Sequence, residues 1–80
     1  MKKVEDFIAA ARSVHDGYAA GRMDREIVQT WVLGLGDYPA PHGPAVADAK
    51  AWFKKSSERM DTADVRGADL ARLQKMFEPS

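Results

Sequence analysis

The sequence predicts an all-α fold, a small single-domain bundle of about four helices. Apolar residues recur at helical spacing in four separate segments, and turn-forming residues divide these segments from one another. No segment shows the strict alternation of a strand. With 80 residues the chain has room for one hydrophobic core, so a single helical domain is expected over residues 1–80.

The first helix is predicted over about Lys3–His15. Its apolar residues fall on one stripe of a helical wheel: Val4, Phe7, Ile8, Ala11 and Val14. His15 lies near the same stripe, which favours a half-buried packing histidine over a catalytic one. Gly17 and Gly21 should then loosen the chain and end the helix.

The second helix is predicted to begin after a cap at Asp24 and to stop at Gly36. Its buried arc is expected to consist of Ile27, Val28, Trp31, Val32 and Leu35. Trp31 should be a central core residue, so that truncating it removes about 3–5 kcal/mol of stability. Leu33 falls outside this arc, and its side chain is expected to point outward.

The third helix follows a Pro-rich loop and is predicted from about Pro44 to Ser56. Its apolar arc comprises Ala45, Val46, Ala49, Trp52 and Phe53. Asp61 or Thr62 can cap a fourth helix, whose apolar side contains Val65, Leu70, Leu73, Met76 and Phe77. The first three helices already offer enough apolar faces for a small core, which would leave the fourth partly free.

Composition excludes several classes of function. Twelve Lys and Arg balance twelve Asp and Glu, which removes the general electrostatic reason to expect nucleic acid or an acidic membrane as the main partner. No cysteine is present, in agreement with a reducing cytoplasm, and neither a membrane helix nor a signal-type start is visible. A cytoplasmic protein is the expectation.

Catalytic and cofactor motifs are also lacking. His15 and His42 are the only histidines and are not at metal-ligand spacing, so no metal or cofactor is expected. No serine has a recognisable base or oxyanion site. Gly34-Leu35-Gly36 follows a helix and lacks the Lys-Ser/Thr ending of a P-loop, which favours helix termination. An enzyme is not expected.

Two surfaces are candidates for binding. Lys50, Lys54 and Lys55 form a basic flank on the third helix that could contact phosphates, although a solvated helix face explains it as well. On the fourth helix, charged residues lie among large apolar ones, a pattern that suits an interface better than a core. Either Arg66 pairs with Asp69 locally, or this face meets a partner. The predicted partner-binding residues are Arg59, Arg66, Asp69, Leu70 and Phe77.

The order of features resembles a family of small helical phage proteins, the replicative-helicase loaders and loader-inhibitors. The resemblance covers roughly Asp24 to Met76. It consists of Trp31 and Leu35 in the second helix, the Asp37-Tyr38-Pro39 turn, the aromatic pair Trp52 and Phe53, and the helix start Asp61-Thr62-Ala63-Asp64-Val65-Arg66. Members have a compact helical domain that engages replication-initiation proteins and a following tail that contacts the helicase. The tail is not seen here, since the sequence stops three residues after Phe77.

The resemblance implies a non-enzymatic phage-type adaptor that binds a DNA-replication protein, a helicase or an initiator, and either loads or inhibits it. Two alternatives remain open. One is a small nucleic-acid-binding regulator that uses the basic flank of the third helix. The other is a phage protein that inhibits a different host protein.

Overall fold

The computed structural model describes residues 2–55 and 62–78, and these residues form four helices. The helices are α1 (Lys2–Ala19), α2 (Arg25–Leu33), α3 (His42–Lys55) and α4 (Ala63–Phe77). The described part of the chain contains no strand. The predicted all-α bundle is therefore confirmed.

Helix α4 is the central element of the bundle. It packs extensively against both α1 and α3, whereas α1 and α2 contact each other least among the packed pairs. Leu73 and Met76 of α4 are fully buried, and Phe77 is nearly so. The prediction that the first three helices suffice for a core and leave the fourth partly free is thus wrong, because side chains of α4 fill the space between α1 and α3.

The buried apolar residues form one cluster to which all four helices contribute. Its members are Phe7, Ala11, Val14, Tyr18, Val28, Val32, Val46, Ala49, Phe53, Leu73, Met76 and Phe77. A single cluster of this kind is what one hydrophobic core in one domain requires.

Helix α1 is one turn longer than its stripe predicts. It continues through Gly17, which is buried, to Ala19. This last turn carries Tyr18, whose ring is almost fully buried, and burial of so large an aromatic group favours the extra turn. The turn that follows the helix contains Gly21, whose φ of 78° is readily adopted only by glycine.

Helix α2 is rotated relative to the predicted arc. Its buried residues are Arg25, Val28 and Val32, whereas Trp31 is only half-buried and Ile27 is 55% exposed. Helix α2 is rotated because the Arg25 side chain points inward and pairs with the buried carboxylate of Asp69. The predicted arc, which follows hydropathy alone, does not include Arg25.

The remaining junctions hold α3 and α4 in place. Thr62 caps α4 as predicted, with Oγ1 accepting from the backbone N–H of Val65 at 3.3 Å. Helix α3 begins at His42, two residues before the predicted start, and the His42 Nδ1 lies 2.8 Å from the Met76 carbonyl oxygen, to which it donates. This bond ties the start of α3 to the end of α4.

Candidate functional site

Asp69 of α4 accepts hydrogen bonds from side chains of the three other helices. It is fully buried, and three side chains donate hydrogen bonds to its carboxylate. Oδ2 accepts from the Tyr18 hydroxyl at 2.7 Å and from Arg25 Nε at 2.8 Å. Oδ1 accepts from Trp52 Nε1 at 2.7 Å and from Arg25 Nη2 at 3.2 Å. The donors come from α1, α2 and α3, so the carboxylate joins all four helices.

The Asp69 cluster, formed by Tyr18, Arg25, Trp52 and Asp69, satisfies the hydrogen-bonding capacity of its carboxylate. A carboxylate has about four acceptor positions, and here four donor contacts occupy them. The Arg25 guanidinium lies 5.3 Å from the Phe53 ring centroid and is itself buried. With its acceptor positions filled and no exposed surface, Asp69 is placed to organise the fold rather than to meet a ligand.

The predicted partner-binding residues of α4 are divided between the interior and its edge. Asp69 and Phe77 are buried, so neither side chain lies on the exposed surface of α4 where the sequence predicts the contact. The Asp69 charge is satisfied inside the bundle, and the Phe77 ring packs edge-on against His15 with 5.4 Å between ring centroids. His15 is half-buried, as its position on the α1 stripe predicts.

The other three predicted partner-binding residues differ in their position in the structure. Leu70 is half-buried and packs against the core. Arg66 is half-buried, with its guanidinium 5.1 Å from the centroid of the Tyr18 ring, and its role in binding a partner stays a prediction. Arg59 lies outside the described residues.

The basic flank of α3 separates into one anchored lysine and two exposed ones. Lys50 Nζ donates to the backbone carbonyl of Leu35 at 2.6 Å, and this bond links α3 to the chain just after α2. Lys54 and Lys55 are exposed in the last turn of α3. Cations in this position are favourable at a helix C-terminus, which gives them a structural reason to be there.

The outer side of α2 carries the large hydrophobic residues that are exposed among those described. Ile27 is 55% exposed and Leu33 is 39% exposed, so the outward direction predicted for Leu33 is confirmed. Ile27 and Trp31 are one helical turn apart and share a side of α2, whereas Leu33 lies on the opposite flank. Burial of Arg25 and Val28 turned Ile27 outward.

Two neighbouring clefts share the Trp31 side chain. The α1–α2 cleft has a volume of about 470 Å³ and is lined by Asp6, Phe7, Ala10, Trp31, Leu35, Gly36, Asp37 and Tyr38. The outer cleft has a volume of about 370 Å³ and is lined by Glu26, Ile27, Thr30 and Trp31. The α1–α2 cleft exists because α1 and α2 pack less closely than the other contacting helices. Two of the residues that line it, Phe7 and Tyr38, stack their rings at a centroid distance of 4.3 Å.

Sequence reasoning missed these clefts for an identifiable reason. Ile27 and Trp31 are apolar and match the helical period, so they were assigned to the core. The signal that could have placed them outside is Arg25, which competes for the same buried side of α2, together with Asp69, which needs a cation.

Within the described ranges, no cluster of three or more His, Asp or Glu side chains could hold a metal ion. None of the described helices combines the length and the apolar character needed to cross a membrane. Comparison of the chain with protein-family models, with curated proteins and with solved structures finds no match.

Proposed function

We propose that this chain is a non-enzymatic adaptor that binds another protein through the outer side of α2. The observation that carries the proposal is the exposure of Ile27 beside the half-buried Trp31 on a helix with a well-packed opposite side. Large apolar residues next to a preformed cleft are typical of protein contact sites, where they supply much of the binding energy.

The partner we propose is a protein of the DNA-replication machinery, a helicase or an initiator. Support for this partner class comes from the resemblance of the Asp24–Met76 segment to phage helicase loaders and loader-inhibitors. The Asp69 cluster is internal, which suits a module that presents a surface rather than a reactive group. An inhibitor of a different host protein would use the same surface.

Site-specific photo-crosslinking tests the proposal. We would incorporate p-benzoylphenylalanine at Ile27 and, as controls, at Leu33 and at Lys54, then irradiate each variant with a purified bacterial replicative helicase and with an initiator. Crosslinking from Ile27 that unlabelled protein competes away is the expected result. Crosslinking to neither protein from Ile27 would overturn the proposed partner class.

Affinity measurements with the same purified proteins distinguish α2 from the surface that the sequence predicts on α4. If α2 is the contact, Ile27→Ser weakens capture of the partner about tenfold, equivalent to about 1.4 kcal/mol, and Arg66→Ala leaves it unchanged. The reverse pattern would move the contact to Arg66 and Leu70. Circular dichroism must show that both variants keep their helicity.

Nucleic-acid binding through the basic flank is the second candidate function. Lys54 and Lys55 are exposed and close together at the end of α3, which favours this alternative. Binding of labelled single-stranded and duplex DNA at low salt would support it if Lys54→Ala and Lys55→Ala each weaken the complex and added salt does the same. Absence of binding at low salt would remove it.

A further inference from the structure

Acidic side chains border the two clefts that share Trp31. Asp6 and Asp37 line the α1–α2 cleft, and Glu26 lines the outer cleft. All three are exposed, and none of them makes an ion pair with another described residue. Neither cleft has a basic side chain among the described residues that line it. The apolar surface around Trp31 is therefore bordered by three carboxylates that have no ion-pair partner among the described residues, while Lys50 lines an adjoining cleft that also includes Asp37.

We infer that these clefts bind a basic amphipathic helix of the partner, with one apolar side chain in each cleft and Lys or Arg residues facing Asp6, Asp37 and Glu26. The inference rests on the proposed function and specifies the chemistry of the partner segment. Charge complementarity selects a basic segment, because an acidic one would place like charges together at the edge of a low-dielectric contact.

The spacing of the two clefts determines the spacing of the apolar side chains that the docked helix would place in them. Ile27 and Trp31 line the outer cleft, and Trp31 and Leu35 line the α1–α2 cleft, so these three apolar residues follow one another at four-residue intervals. Successive turns are about 5–6 Å apart, which is also the separation of side chains three or four positions apart on a docked helix. Two apolar residues at this spacing, with basic residues on both sides, would meet the clefts and the carboxylates together.

A defined peptide tests this chemistry without the natural partner. The probe is a synthetic helical peptide of about 15 residues with Leu at three- and four-residue spacing and Lys at the flanking positions. Its matched control carries Glu in place of every Lys. Each peptide is titrated into the full ¹⁵N-labelled chain, while backbone amide and indole resonances report where it binds.

The expected result is binding of the Lys peptide alone, with shifts concentrated at Ile27, Trp31 and Ala10. Ile27→Ser should weaken this binding about tenfold, whereas Leu33→Ser, a matched change on the opposite flank of α2, should leave it unchanged. Removing the two carboxylates of the α1–α2 cleft with Asp6→Asn and Asp37→Asn together should weaken binding of the Lys peptide. It should also reduce the dependence of this binding on salt. Asp64→Asn, which removes an exposed carboxylate in α4, serves as the charge control.

Several results would overturn the inference. Equal binding of the Lys and Glu peptides, shifts spread evenly over acidic residues, or full affinity in Ile27→Ser would each do so. Self-association that Ile27→Ser abolishes, in the absence of peptide binding, would identify a second copy of the chain as the occupant instead. Crosslinking of a replication protein from Ile27 combined with failure of the Lys peptide would leave the proposed function standing and reject only the basic helix.

Discussion

Arg25 at the start of α2 and Asp69 in the middle of α4 form a buried ion pair across 44 positions of the chain, with Arg25 Nε 2.8 Å from Asp69 Oδ2. Their side chains are 7% and 0% exposed. Burying two charges is unfavourable unless each finds good partners, and here Tyr18 and Trp52 complete the set around the carboxylate. The pair therefore fixes which side of α2 faces the core.

Asp69→Asn should lower the free energy of unfolding by about 3–5 kcal/mol. The amide nitrogen introduced by this change would face hydrogen-bond donors, and the Arg25 charge would remain buried without a counter-ion. Urea titration followed by circular dichroism measures the change. The control is Asp48→Asn, which breaks the more exposed pair of Asp48 Oδ2 with Arg72 Nη1 at 3.2 Å and should remove less than about 1 kcal/mol. Similar losses in the two variants would contradict a structural role for the Asp69 cluster.

Tyr18→Phe should lower stability by about 1–2 kcal/mol, because the Tyr18 hydroxyl donates to a buried carboxylate at 2.7 Å. The chain offers a matched control in Tyr38→Phe. The Tyr38 ring stacks on Phe7, and its hydroxyl makes no hydrogen bond to a described residue, so this variant should melt within a degree or two of the parent protein. Differential scanning calorimetry measures the stability of both variants. A larger loss of stability in Tyr38→Phe than in Tyr18→Phe would contradict this prediction.

Phe53→Ala should be more destabilising than Trp31→Ala. Phe53 is fully buried in α3, and its truncation should remove about 3–5 kcal/mol. Trp31 is half-buried at the edge of two clefts, so we expect a loss of less than about 2 kcal/mol, below the value its sequence position suggests. Chemical denaturation of both variants gives the comparison. If Trp31→Ala lowers stability as much as Phe53→Ala does, Trp31 is a central core residue as its sequence position predicts.

Alanine at two helical glycines should have effects of opposite sign. A Cβ at Gly43 would clash with the Tyr38 carbonyl oxygen, so Gly43→Ala should lower stability by about 1–3 kcal/mol. A Cβ at Gly67 in α4 would meet nothing within 4 Å, so Gly67→Ala should raise stability by up to about 1 kcal/mol through helix propensity. Thermal melts of the two variants should move in opposite directions. A stabilised Gly43→Ala variant would contradict the close approach of the loop to α3.

Lys50→Ala should lower stability by about 1 kcal/mol, whereas Lys54→Ala should change it by less than about 0.5 kcal/mol. Lys50 donates to the Leu35 carbonyl at 2.6 Å, and Lys54 is exposed. Melting temperatures measured in the absence of DNA test this difference between two lysines one turn apart. If the two variants melt together, the link between α3 and the end of α2 contributes nothing measurable.

The sequence by itself determined the fold class, the number of helices and much of their extent. Apolar periodicity located all four helices, and Thr62 marked the start of α4, because helical spacing and capping depend on residues within a few positions of one another. Leu33 was correctly placed outside, and His15 was correctly placed at the edge of the core.

Only the tertiary structure decided which side of α2 is buried and where Asp69 belongs. The sequence of α4 places the charged Asp69 among apolar residues. The cation that pairs with it, Arg25, is 44 positions away in the chain, and the spacing of residues within one helix cannot predict such a partner. Once Arg25 turns inward to meet Asp69, Ile27 must turn outward, because both are fixed to one rigid helix. The candidate binding surface on α2 is thus a consequence of a long-range ion pair, which a reading of each helix alone does not include.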